Sequence, residues 1–134
     1  ESGAAAERMG RMVAGLGGPA DLLDRAARHL PQAPVRRDVP APEAGHVAVI
    51  DGEALGLAVV RLGGGRLQKE DRIDPAVGLA GMVRLGQKLD RGAPLAVVHA
   101  ATPEAAERAV REVQAAVTLG PAPEPLPLVL ERIG

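Results

Sequence analysis

The sequence predicts an α+β fold: a helical pair, a linker, then a module of short strands and two further helices. Three observations carry this. Four segments place apolar residues at i, i+3, i+4 and i+7, the spacing of an amphipathic helix. Short strand-like runs lie at "HVAVI" (46–50), "VGLAGMV" (77–83), "PLAVVHA" (94–100) and "PLVLERI" (127–133). The stretch "PQAPVRRDVPAPEAG" (31–45) holds four prolines, which forbids helix and marks a boundary or an edge strand.

In chain order, the first helix carries Met9, Met12, Val13 and Leu16, with Ser2 as N-cap and Gly17-Gly18 as its stop. The second carries Leu23, Ala26, Ala27 and Leu30, opened by Gly18-Pro19 and closed by Pro31. Within the linker, "VRRD" (35–38) reads as an exposed edge strand whose charges discourage further pairing. The third helix carries Leu55, Ala58, Val59 and Leu62, with Asp51 as N-cap and Gly63 as stop. "GQKLDRGAPLAVV" (86–98) reads as a strand, a tight Asp90-Arg91-Gly92 turn and a return strand. The fourth helix carries Ala106, Ala109, Val110 and Val113, with Thr102 as N-cap and Pro103 at its first position. Glu104–Arg108 and Glu107–Arg111 are spaced to pair on its wet face.

Composition narrows the function. At 134 residues the chain suits one domain with an appendage and can bury a core without disulfides or metal. It has no Phe, Tyr or Trp, so it cannot stack on bases. With 16 basic and 17 acidic residues there is no general pull toward nucleic acid or anionic membrane. The absence of Cys removes disulfides and thiolate chemistry and fits a reducing, cytoplasmic setting. No run approaches the ~20 apolar residues of a membrane span. Hydroxyls come only from Ser2, Thr102 and Thr118, which argues against a serine hydrolase. His29, His46 and His99 are too far apart in sequence for metal-ligand spacing.

The glycine triplet Gly63-Gly64-Gly65 follows a helix and precedes "RLQKED". A P-loop needs a strand before its glycines and Lys-Ser or Lys-Thr after them, and a dinucleotide fingerprint opens a helix. Neither context is met, so the triplet reads as a helix stop with a flexible loop. The "GQKLDRGAPLAVV" stretch also has the flavour of biotinyl and lipoyl carrier domains. A carrier presents its lysine at an exposed hairpin tip, whereas Lys88 falls within the strand approach. Mass on Lys88 or Lys69 would identify a carrier, and a free-standing carrier or interaction module remains the alternative reading.

Several pieces then assemble. "ERMGRMVAGLGGPADLL" followed by "HLP", then "ALGLAVVRLGGGRLQKEDRIDPAVGL", then "RLGQKLDRGAPLAVVHA" resembles the C-terminal part of the bacterial thymidine phosphorylase and pyrimidine-nucleoside phosphorylase family. The LGGGR…IDxxVGL block is its most specific element. Met9 and Leu22 stand where relatives often carry Phe.

The resemblance implies that residues 1–33 are the terminal helices of a large α/β domain and residues 34–134 an α/β-hammerhead domain. It implies that the parent is an enzyme of nucleoside salvage, converting a pyrimidine deoxynucleoside and phosphate reversibly into base and 2-deoxyribose 1-phosphate. Phosphate would be a co-substrate, with no cofactor and no metal. The chain is then expected to be a fragment without catalytic residues of its own. Its partners would be the missing N-terminal and α/β domains of the same protein, within a homodimer. By the same resemblance the glycine loop would lie near the mouth of the cleft and order as the domains close. Gly63, Gly64 and Gly65 would supply flexibility, Arg66 a closing contact, and Arg72 and Asp74 lesser ones.

Overall fold

The computed structural model describes residues 2–124 and Glu131. It divides into two compact units, Glu1–Gln32 and Ala33–Gly134. The expected strand at 127–133 lies outside the described residues, Glu131 apart.

In the first unit, α1 (Ala4–Gly15) ends as its sequence dictates. Gly17, at φ +85°, donates to the Ala14 carbonyl at 3.0 Å, and Gly18 donates to Val13 at 2.9 Å. This pair of bonds is the Schellman closure, and it needs a residue that tolerates positive φ. A Cβ on Gly18 would approach Val13 Cγ1 to 2.6 Å, so the second glycine is required by space. The start differs from expectation. Gly3, at φ +73°, occupies the N-cap position, and Ser2 Oγ reaches only the Ala4 amide at 3.5 Å.

The second helix is also shorter than its apolar spacing suggests: α2 spans only Ala26–His29. Arg25, at φ −134° and ψ 37°, interrupts any helix running in from Pro19. Leu30 is extended because it precedes Pro31. Asp21 draws the turn together, accepting from His29 Nε2 at 2.7 Å and lying 3.8 Å from Arg25.

The second unit holds six strands and two helices among its described residues. They are β1 (Val35–Pro40), β2 (Gly45–Ile50), α3 (Gly52–Val59), β3 (Gly78–Ala80), β4 (Lys88–Leu89), β5 (Pro94–Ala100), α4 (Pro103–Ala116) and β6 (Val117–Gly120). Two antiparallel sheets form, in the orders β1-β5-β3 and β4-β2-β6. β1 is an edge strand, which is why Pro40 is tolerated there and Arg36, Arg37 and Asp38 stand exposed. Both sheets and α4 turn apolar residues inward. Val39, Val47, Leu95, Val98 and Val113 are the largest fully buried side chains, joined by Ala96, Ala100, Ala106 and Ala109. With no aromatic side chain to fill space, close approach of small residues builds this core.

One expectation fails here, and one strand was not foreseen. The 86–98 stretch is not a hairpin, because β4 pairs with β2 whereas β5 lies between β1 and β3 in the other sheet. The turn itself exists, with Ala93 donating to the Asp90 carbonyl at 3.0 Å and Gly92 at φ +85°. It carries the chain across a corner between sheets so that Leu89 and Leu95 both enter the core. β6 was not legible as a strand. It follows α4 without a loop, and the apolar run Ala115-Ala116-Val117 continues the helical pattern up to the switch.

Thr102 Oγ1 accepts from the Ala105 amide at 3.2 Å and Asp51 Oδ1 from the Ala54 amide at 2.9 Å, so both expected N-caps are in place. The expected Glu104–Arg108 and Glu107–Arg111 pairs are not among the ion pairs of the described residues. No helix among the described residues is long and apolar enough to cross a membrane.

Candidate functional site

The glycine loop begins where α3 loses its regular pitch. Capped by Asp51, the helix runs to Val59 and then widens into a π-type turn, Val60–Gly64. Leu62 is buried and pins the turn to the core. At Gly63 the backbone passes to φ +99°, a conformation that costs an L-residue about 1–2 kcal/mol, and the helix ends.

The three glycines have different reasons. Only Gly63 has positive φ. Gly65 is extended at φ −146°, yet a Cβ there would meet Val60 Cγ2 at 2.6 Å. A Cβ on Gly64 would meet Val59 Cγ1 at 2.9 Å and the carbonyls of Val59 and Val77 at 3.3 and 3.4 Å. The expectation that the triplet as a whole supplies backbone freedom therefore needs correction. One glycine turns the chain, and two let it fold back against the helix it has left.

Beyond the triplet the loop is bound to itself. The Asp74 amide donates to the Gly63 carbonyl at 2.9 Å, and Asp74 Oδ1 accepts from the Ala76 amide at 2.9 Å. Asp71 Oδ2 accepts from both the Leu67 amide at 3.0 Å and the Gln68 amide at 2.9 Å. Asp71 lies in the charged run after the glycines and is not singled out by the sequence. No local signal marks it, because a turn Asp characteristically accepts from amides that follow it, whereas Asp71 reaches back to amides three and four residues before it.

Of the predicted site residues, the structure brings Gly63, Gly64, Gly65 and Asp74 together. Arg66 and Arg72 are exposed, and neither guanidinium is in an ion pair among the described residues. Leu67 and Ile73 are exposed beside them, at 71% and 48%. The loop thus presents cations and apolar side chains on a braced backbone. Phosphates, carboxylates and partly apolar ligands suit such a surface, and two of the loop's carboxylates, Asp71 and Asp74, are engaged by its own main-chain amides.

The other candidates are dispersed. Lys88 lies within β4 opposite His46, not at a hairpin tip, so the carrier geometry is not met. His99 lies within β5, opposite Arg36 on one side and Gly78 on the other, as a strand residue. No group of three or more His, Cys, Asp or Glu able to hold a metal ion occurs among the described residues. A shallow groove between β1 and α4 is lined by Arg37, Asp38, Pro40, Glu107, Val110 and Arg111, and its charges are mixed.

The family model described as pyrimidine nucleoside phosphorylase C-terminal domain matches residues 46–120, a span that contains the whole loop. The chain is 52% identical over 133 residues to a thymidine phosphorylase of Burkholderia cenocepacia, covering 99% of this chain and 30% of the relative. A thymidine phosphorylase of Burkholderia orbicola matches with the same figures. One from Burkholderia lata is 49% identical over 134 residues, 100% of this chain and 31% of the relative. The chain spans under a third of the length of these relatives.

Proposed function

The chain belongs to the pyrimidine nucleoside phosphorylase family as its C-terminal domain, and from that premise we propose that it is the domain-closure part of a thymidine phosphorylase. In that reading the full protein exchanges the base of a pyrimidine deoxynucleoside for phosphate, releasing base and 2-deoxyribose 1-phosphate. Phosphate is the co-substrate, no cofactor takes part, and the working form is a cytoplasmic homodimer. Phosphate and base are held by residues outside this chain. The α/β-hammerhead architecture is part of the same proposal.

The observation that carries it is the braced glycine loop within the matched span. Phosphorolysis places a negatively charged nucleophile against a sugar whose glycosidic bond is breaking, and water must be kept from competing. A loop with exposed Arg66 and Arg72 beside Leu67 and Ile73 has the composition to close over such a cleft, cations toward phosphate and apolar groups against solvent. In this reading the loop acts as a lid, and the groups that carry the chemistry lie in the rest of the full protein.

The test uses both forms of the protein. The 134-residue chain alone is expected to release no thymine from thymidine and phosphate, while the full-length protein does. Replacing Arg66 by alanine in the full-length protein should lower kcat more than it raises KM, because a closing contact strengthens toward the transition state. Protein-dependent thymine release by the short chain, or wild-type kinetics in the Arg66→Ala variant, overturns the proposal.

A further inference from the structure

The geometry points to Arg108 and Glu112 of α4, acting through Arg61, as positioning residues that set where the glycine loop leaves the helix. Arg61 lies inside the π-type turn, immediately before Leu62 and Gly63. Its main chain and its side chain are both held by α4. Arg108 Nη2 donates to the Arg61 carbonyl at 3.3 Å, and Arg61 Nη1 lies 3.3 Å from Glu112 Oε1.

This use of Arg108 is chemically apt. A helix end leaves carbonyls without intrahelical donors, and a guanidinium is suited both to satisfy one and to complement the negative end of the dipole. Arg108 and Glu112 are four residues apart, so they project from one face of α4. That helix is fixed by buried Ala106, Ala109, Val113 and Ala116, so it serves as an anchor. Arg61 is therefore clamped at two points, and the reversal at Gly63 starts from a defined place.

The clamp is not arranged for greatest stability. Glu112 Oε2 is buried and has no hydrogen-bond partner among the described residues. A carboxylate serving only to hold two helices together would be expected to use both oxygens, since a buried unpaired acceptor is destabilising. Arg61 touches one oxygen only, which leaves the guanidinium free to shift onto the second when the loop moves.

The inference rests on the closure reading of the loop, and the test separates the two. In the full-length protein, Arg108→Ala, Arg108→Lys and Glu112→Gln are compared by steady-state kinetics and by tryptic cleavage after the exposed Arg66, Lys69 and Arg72. Arg108→Ala and Glu112→Gln should speed cleavage in the loop and lower kcat by roughly three- to tenfold, the equivalent of one lost hydrogen bond, with KM little changed. Arg108→Lys, which can still donate to the carbonyl, should recover much of both. Unchanged loop cleavage in both Arg108→Ala and Glu112→Gln overturns the clamp, whatever kcat does. Faster cleavage with wild-type kinetics leaves the clamp standing and overturns both the closure reading and the positioning role.

Discussion

The main-chain amide of Asp74 donates to the carbonyl of Gly63 across 2.9 Å, so the two ends of the glycine loop are fastened to each other. A loop closed at its neck does not unravel from one end. It moves as a body about the turn at Gly63, or only its tip moves. The tip is held separately by Asp71, whose carboxylate gathers the Leu67 and Gln68 amides.

Asp71→Ala should therefore loosen the tip and leave the neck. The two amides lose a charged acceptor but sit on the surface, where water replaces it, so the global cost should be about 1 kcal/mol or less. Hydrogen exchange should speed at Leu67 and Gln68 while the Asp74 amide stays protected. Simultaneous loss of protection at Asp74 would mean that tip and neck are one unit.

The glycines should separate by mechanism. Gly63→Ala should destabilise by about 1–2 kcal/mol through its positive φ, and no neighbouring substitution should rescue it. Gly65→Ala should cost about 1–3 kcal/mol through overpacking against Val60. Combining it with Val60→Ala should return part of that cost, read as a favourable coupling in denaturant melts. Additivity of the Gly65 and Val60 changes would remove the steric account.

These differences explain what the sequence could and could not convey. Helix caps at Asp51 and Thr102 were legible because a side-chain acceptor beside its own helix is a local event. The edge strand at 35–40 was legible because its prolines and charges exclude a central position. Whether residues 88–89 pair with residue 94 onward or with a distant strand depends on which sheet each enters, and the local pattern is the same in both cases. β6 was hidden because Ala115 and Ala116 favour helix and the four residues Val117–Gly120 are too short a run to mark a strand until β2 supplies a partner. At the candidate site, Gly63 was readable as a helix stop. The reasons for Gly64 and Gly65 lie in Val59, Val60 and Val77, and the clamp from α4 joins residues far apart in the chain.

The N-terminus of α4 gives a pH-dependent prediction. The Glu104 carboxyl is held below its ordinary value, first by its own main-chain amide and second by the Thr102 hydroxyl. Its folded value is depressed, so its contribution to stability is present above the ordinary carboxylate range and is lost as pH falls through the lowered value. Thr102→Ala should cost about 1 kcal/mol near neutrality as a lost N-cap. It should also move the Glu104 titration part of the way back up, followed by carboxyl carbon shifts. The stability difference between variant and parent should narrow in acid without closing, since the bond from the Ala105 amide to Thr102 does not depend on that proton. A difference independent of pH would separate Thr102 from Glu104.

The two units should differ in local stability. In Ala33–Gly134, Leu95 and Val98 are fully buried in the middle strand of a sheet, so opening their backbone requires opening the core. In Glu1–Gln32, α1 buries none of its residues, and Met12 and Leu16 are 59% and 81% exposed. Helical hydrogen bonds alone hold such a segment weakly, because a short isolated helix is marginal in water. Amides of α1 in the 134-residue chain should therefore exchange well before those of β5 and α4. Leu95→Ala should cost about 2–5 kcal/mol and speed exchange throughout the second unit, whereas Met12→Ala should leave that unit's exchange unchanged. In the full-length protein, where further chain is available to cover Met9, Met12 and Leu16, the same α1 amides should slow. Equal protection of α1 and β5 in a demonstrated monomer of the short chain would show that the first unit needs no such cover.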